Sequence, residues 1–181
     1  ADPPTLGHEA LLKGLLAIFP KVATWASNNP KKSHQECLEK RYELLNELVQ
    51  AIGNPHLELI QQLSSPWTIT TLERAKKKWP NSELVFVIGS DLADQIPHWL
   101  NADQVLTSAR IAIAPRKGWP LQKDHLLRLK SLGGQIEVLP LNIPATASSD
   151  IRHETTTSQI PKSVLRILLQ QNLYGFSMNK Q

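Results

Sequence analysis

Glu83-Leu84-Val85-Phe86-Val87-Ile88-Gly89-Ser90-Asp91 is the stretch on which the fold turns. Its core, Leu84 to Ile88, is apolar throughout. It lacks the alternation of a strand with one wet face, and such an unbroken run marks a strand of a parallel sheet covered on both sides. Gly89-Ser90-Asp91 follows without a gap. Polar residues in that place sit at the carboxyl end of a strand, where open α/β sheets bind their ligands.

Reading outward, helix and strand patterns alternate on both sides. Toward the carboxyl end come a strand at Arg110 to Ala114, a helix at Lys123 to Leu132 stopped by Gly133-Gly134, a strand at Gln135 to Leu139, and a closing helix from Pro161 to Asn172. Proline suits a helix start, where its missing N–H costs nothing. Toward the amino end come a helix at Thr68 to Trp79, ended by Pro80, and a strand at Leu57 to Ile60. Before them lie a helix at Glu36 to Ile52 closed by Gly53, a polar loop at Ser27 to His34, a strand at Lys21 to Ala26, and a helix at His8 to Phe19 halted by Pro20. Strand alternating with helix predicts an α/β fold with a mostly parallel sheet. No internal repeat or low-complexity segment interrupts it, and a single domain over 1–181 is expected.

Bulk properties narrow the class. With 41% apolar and 20% charged residues the chain folds rather than staying disordered. One cysteine, Cys37, excludes an internal disulfide and points to a reducing compartment, the cytoplasm. No apolar run approaches the roughly 18–20 residues of a membrane span, so no membrane partner is expected. The opening Ala1-Asp2-Pro3-Pro4 lacks the basic end and apolar stretch of a signal peptide. A net charge of +4 and a pI near 9.3 suit nucleic acid, a phosphorylated small molecule, or nothing specific, and charge alone does not choose.

Two short motifs carry chemistry. In Thr5-Leu6-Gly7-His8, Gly7 lets a phosphate approach the backbone, and the helix that follows presents free N–H groups and the positive end of its dipole. Thr5 and His8 can donate to phosphate oxygens there. Ala147-Ser148-Ser149-Asp150-Ile151-Arg152 opens a short helix with two hydroxyls and brings a guanidinium about one turn later. That set suits a polyphosphate. Taken singly, each is better explained as a helix cap with an incidental histidine or a surface arginine.

Taken together, and in order, they resemble the nucleotidylyltransferases with an (H/T)xGH motif near the start and an SSTxxR-like motif near the end. Within that group the resemblance is to the bacterial nicotinate-nucleotide adenylyltransferases, and it runs along nearly the whole chain. Asp2-Pro3-Pro4-Thr5-Leu6-Gly7-His8 is similar to D-P-P-H-x-G-H, Pro30-Lys31-Lys32-Ser33 to P-P-H-K-S, and Ser65-Pro66-Trp67-Thr68-Ile69-Thr70-Thr71 to S-Y-T-x-D-T. Ile88-Gly89-Ser90-Asp91 resembles I-G-x-D, Ile96-Pro97-His98-Trp99 resembles L-P-x-W, and Arg116-Lys117-Gly118-Trp119 resembles R-P-G-Y.

The resemblance implies a Rossmann-like fold with helices on both faces of the sheet, and AMP transfer from ATP to nicotinate mononucleotide. His8, Thr5, Arg152 and Lys32 would be catalytic, contacting or neutralising phosphates. Gly7, Gly89, Asp91, Ser148, Ser149 and Arg116 would bind ATP. Trp67, Thr68 and Trp99 would hold the mononucleotide, its flat ring against an aromatic face. Mg²⁺ would bridge ATP oxygens, largely through water, with no protein metal cage. Core packing is an equal account of Trp67, and a solvated loop position nearly so of Arg116.

Departures from the pattern are also legible. Thr5 stands for the commoner first histidine, Trp67 for a tyrosine, Thr70 for an aspartate and Ala147 for the first serine. The α/β order also expects a strand ahead of Asp2, its end at ATP. Without it, the 181-residue chain is expected to be weakly active or unstable. Other readings stay open: nicotinamide mononucleotide or another phosphorylated acceptor, a nucleic-acid-binding module, or a nucleotide-binding relative without turnover. No helix-turn-helix, RNP or zinc-finger pattern supports nucleic acid. Nothing in the sequence chooses between a monomer and a homo-oligomer.

Overall fold

The computed structural model describes residues 1–30 and 32–177. In chain order the elements are α1 (Leu6–Ile18), β1 (Val22–Thr24), α2 (Leu38–Ile52), β2 (Leu57–Leu59), α3 (Thr68–Lys78), β3 (Val85–Gly89), α4 (Ala102–Ser108), β4 (Arg110–Ala114), α5 (Lys123–Ser131), β5 (Ile136–Val138), α6 (Ser148–Glu154) and α7 (Lys162–Gln171). All strand pairs are parallel, as the sequence predicts. They form two sheets rather than one: β1 with β2, and β3, β4 and β5 in that order.

The chain divides into two units. One contains Ala1–Ser64 and Pro144–Gln181, the other Ser65–Ile143. In the first, α2 presents Leu44 and Leu48 and α7 presents Val164 and Leu168, all fully buried. The spacing of four on each helix keeps each pair on one stripe, which is what lets the two helices pack. Arg166 of α7 donates to Glu47 of α2 at 2.7 Å beside that seam. Gly53 ends α2 in the left-handed region (φ 63°), the expected closure.

In the second unit, β4 is the central strand, and its last four residues are buried. The apolar run Leu84–Ile88 is expected to be a strand covered on both faces. Instead β3 flanks the sheet and is only half-buried along most of its length. An apolar run tells that a strand is covered, but sheet order depends on which neighbours pair, and periodicity does not carry that. Ile111 and Ile113 of β4 pack with Ile88, Val105, Leu106 and Leu129 to make this unit's core.

Two elements longer than three residues were not anticipated. A 3₁₀ stretch runs from Ser90 to His98 straight through Pro97, and α4 follows after Asn101 in the left-handed region (φ 52°). Other boundaries fall one to two residues from expectation, including α1, which begins at Leu6 rather than His8, within the usual fraying of ends.

Candidate active site

In the first unit the two motifs meet. Thr5 is fully buried and is the N-cap of α1. Its N–H donates to His8 Nδ1 at 3.1 Å, and its hydroxyl lies 2.8 Å from the same nitrogen. The sequence therefore builds a capping box with histidine in the position usually held by Glu or Gln. The box holds the imidazole against the helix start instead of leaving it to swing.

Gly7 N–H donates to Thr146 Oγ1 at 2.8 Å. A Cβ on Gly7 would sit 2.6 Å from that oxygen and 3.2 Å from the Pro144 carbonyl. The absence of a side chain at Gly7 is thus required by the close approach of residues 144–146. The sequence reading had assigned it to phosphate access.

From the other motif, Ser148 Oγ donates to the Pro3 carbonyl at 2.8 Å, and Asp2 N–H donates back to it at 3.4 Å. The Arg152 guanidinium donates to the Asp2 carbonyl at 2.7 Å and lies 3.7 Å from its carboxylate. Ser149, at the start of α6, is exposed and donates to Asp150 at 3.1 Å. Thr5, Gly7, His8, Ser148 and Arg152 are therefore brought together through residues 2–8 and 144–152.

Asp2 is the hub of this cluster, and it was not singled out from the sequence. Its carboxylate accepts from the buried Tyr174 hydroxyl and from Gln35 N–H at 2.9 Å, and lies 3.4 Å from His34 Nδ1. Burial opposes its ionisation, but the Tyr174 hydroxyl, the Gln35 N–H and the Arg152 charge outweigh it and hold the carboxyl below its ordinary value. Burial, with Arg41 nearby, pushes the His34 imidazole down.

Arg41 was missed for the same reason. Only 3% exposed, it donates to the Ser27 carbonyl at 2.6 Å and the Glu36 carbonyl at 3.2 Å. It braces both ends of the loop that carries Lys32, whose own side chain is exposed. A buried arginine inside a helix pattern reads in sequence as an ordinary surface charge.

The second unit collects another set at the carboxyl ends of β3 and β4. A Cβ on Gly89 would fall on the Asp91 carboxylate, which folds back over it. Arg116 Nη1 donates to Asp91 at 3.3 Å, and Arg116 N–H donates to Ser90 Oγ at 3.0 Å. Arg116-Lys117-Gly118-Trp119 closes as a tight turn, Trp119 N–H donating to the Arg116 carbonyl. Trp99 packs on this unit's core, edge-on to Phe86 with ring centroids 6.3 Å apart. Trp67, 41% exposed, stands just before α3, and Thr68 is the first residue of that helix.

Among the described residues no three His, Cys, Asp or Glu side chains cluster as a metal site. No helix among them is long and apolar enough to cross a membrane.

An α/β scaffold whose phosphate-suited donors come from a capped helix start and a Ser-Arg segment defines a class. Residues 1–160 match the family model described as cytidylyltransferase-like, and the chain belongs to that family. Within it, the chain is 30% identical to a Synechocystis sp. protein named "Probable nicotinate-nucleotide adenylyltransferase", over 96% of this chain and 94% of that one. It is 26% identical to the nicotinate-nucleotide adenylyltransferase of Bacillus subtilis, over 70% of each. In fold it is similar to Plasmodium falciparum nicotinic acid mononucleotide adenylyltransferase complexed with NaAD, with a TM-score of 0.76 at 20% identity, covering 98% of this chain and 95% of the other.

Proposed function

We propose that this chain is a nicotinate mononucleotide adenylyltransferase of NAD biosynthesis. It transfers AMP from ATP to nicotinate mononucleotide, giving deamido-NAD and pyrophosphate. The observation that carries the reading is the junction of the Thr5–His8 cap with Ser148 and Arg152 around Asp2. It gathers hydroxyl, imidazole and guanidinium groups at a helix start.

That composition fits the chemistry. A 5′-phosphate oxygen of the mononucleotide attacks the α-phosphorus of ATP. One P–O bond forms, the α–β bridging P–O bond breaks, and pyrophosphate carries off the electron pair. The attacking oxygen is already anionic, so the protein needs no nucleophile of its own. Its work is to place two anions in line and to spread the developing charge. His8 stabilises the reacting phosphates, while Thr5, expected from its motif to contact them too, is buried with its N–H and hydroxyl on His8 Nδ1 and instead holds the imidazole in place. Lys32 neutralises the phosphates, and Ser148, Ser149 and Arg152 hold the leaving pyrophosphate. Gly89, Asp91 and Arg116 bind the nucleotide end, and Trp67, Thr68 and Trp99 take the pyridine side. Mg²⁺ would accompany ATP and supply neutralisation of its phosphate charge. A free, exposed Cys37 and an ATP-consuming reaction suit the cytoplasm.

The test is pyrophosphate release by the full-length protein with ATP plus nicotinate mononucleotide, run beside nicotinamide mononucleotide. Turnover with the acid supports the reading. Turnover with the amide alone moves the substrate, and turnover with neither overturns the proposal.

A further inference from the structure

Thr146 belongs to neither motif, yet it stands between them. Its hydroxyl accepts from Gly7 N–H at 2.8 Å and donates to Thr5 Oγ1 at 3.0 Å. Thr5 Oγ1 lies 2.8 Å from His8 Nδ1, and Thr5 N–H reaches the same nitrogen at 3.1 Å.

The direction of this chain is fixed from the His8 end. A main-chain N–H can only donate. Gly7 N–H therefore gives its proton to Thr146 Oγ1, and Thr5 N–H gives its proton to Nδ1. A hydroxyl has one proton to give. Because Nδ1 already accepts the Thr5 N–H, the Thr5 hydroxyl must donate to it, and with that proton spent Thr5 Oγ1 can only accept from the Thr146 hydroxyl at 3.0 Å. The alternative acceptor for the Thr5 hydroxyl, the Thr146 carbonyl, is at 3.4 Å and loses to the nitrogen at 2.8 Å. Nδ1 thus receives two donors and keeps its lone pair. A neutral imidazole with an accepting Nδ1 carries its proton on Nε2.

We infer that Thr146 is a positioning residue that fixes His8 in the Nε2-protonated tautomer, so that the imidazole offers a donor to phosphate oxygens rather than a lone pair that would repel them. The role rests on the reading of His8 as a phosphate contact. The tautomer itself does not. The other tautomer sets an Nδ1–H against the Thr5 N–H and requires the Thr5 hydroxyl to turn away. The hydroxyl of Thr146 opposes that turn, because it donates to Thr5 Oγ1 at 3.0 Å and a turned Thr5 hydroxyl would set proton against proton. Outer partners that set the tautomer of a metal-ligating histidine account for about ten- to a hundred-fold in affinity or activity, and the lower end of that range is the effect expected for His8.

The experiment uses the full chain with ¹⁵N-labelled histidine, the His8 signals being assigned by their loss in His8→Gln. In the wild type, His8 should show an unprotonated Nδ1 and a protonated Nε2. Thr146→Ser should preserve both the pattern and the turnover. Thr146→Val should give a mixed tautomer and lower kcat by about ten-fold, with the mononucleotide KM unmoved. In a His8→Ala background, Thr146→Val should cost nothing further. A wild-type His8 protonated at Nδ1 overturns the inference, as does a folded Thr146→Val with wild-type tautomer and kcat. If Thr146→Val does not fold, the wild-type spectrum still decides. Absence of wild-type turnover strikes the proposed function and leaves the tautomer to the spectrum.

Discussion

The Arg152 guanidinium donates to the main-chain carbonyl of Asp2 at 2.7 Å, across 150 residues of sequence. The bond aims a planar, multi-donor cation from α6 at the segment that leads into α1. Arg152→Lys keeps the charge but loses the fork that can hold one partner while serving a phosphate. Its kcat for pyrophosphate release should fall by at least about ten-fold, and that of Arg152→Ala by about a hundred- to a thousand-fold. Steady-state kinetics beside a thermal melt separates this from unfolding. A lysine variant at the wild-type rate would remove Arg152 from its role.

Tyr174 donates to a buried, charged Asp2. Tyr174→Phe should cost roughly 1.5–3 kcal/mol at neutral pH, the worth of a hydrogen bond to a charged group. The pH dependence has a definite sign. Asp2 titrates below its ordinary value of 3.8 in the folded chain, so its contribution is complete above that pH and is lost as pH falls through the lower folded value. Urea melts at neutral and acidic pH should show the wild-type advantage over Tyr174→Phe shrinking toward acid. An advantage that stays constant would mean that the aspartate is not the partner that matters.

Gly7→Ala places a methyl 2.6 Å from Thr146 Oγ1 and 3.2 Å from a main-chain carbonyl. The hydroxyl can move and the carbonyl cannot easily follow. The expected cost is about 1–3 kcal/mol of overpacking, together with reduced turnover as the helix start shifts. Normal stability and rate in this variant would show that the approach is looser than the distances state.

The two tryptophans should behave differently. Trp67 is exposed, so Trp67→Ala should move stability by no more than about 0.5 kcal/mol while raising the KM for the mononucleotide. Trp99 packs edge-on to Phe86 and against the core, so Trp99→Ala should lower both stability and mononucleotide affinity. Calorimetry and initial rates on the pair give the comparison. Equal melting temperatures would deny Trp99 its packing role.

What the sequence told, and what it withheld, follows the range of each interaction. The strands at Arg110–Ala114 and Val85–Gly89 and the cap at Thr5 were readable because apolar runs and capping residues are local signals. Sheet order was not, so the central position of β4 went unseen. The stretch from Ser90 to His98 was missed because Pro97 argues against a helix and 3₁₀ turns have no strong period. Among site residues, those in motifs were named. Asp2, Arg41, Thr146 and Tyr174 act through partners distant in sequence or through burial. A lone tyrosine or threonine shows neither in a one-dimensional pattern.

The division of the chain has a consequence for its synthesis. Residues 1–64 must wait for residues 144–174 before Asp2 finds Tyr174 and Arg152, while Ser65–Ile143 folds around its own sheet in the interval. Contacts of such high contact order form late. A nascent chain halted short of Thr146 therefore lacks the partners that Gly7, Pro3 and Asp2 find in residues 146–174.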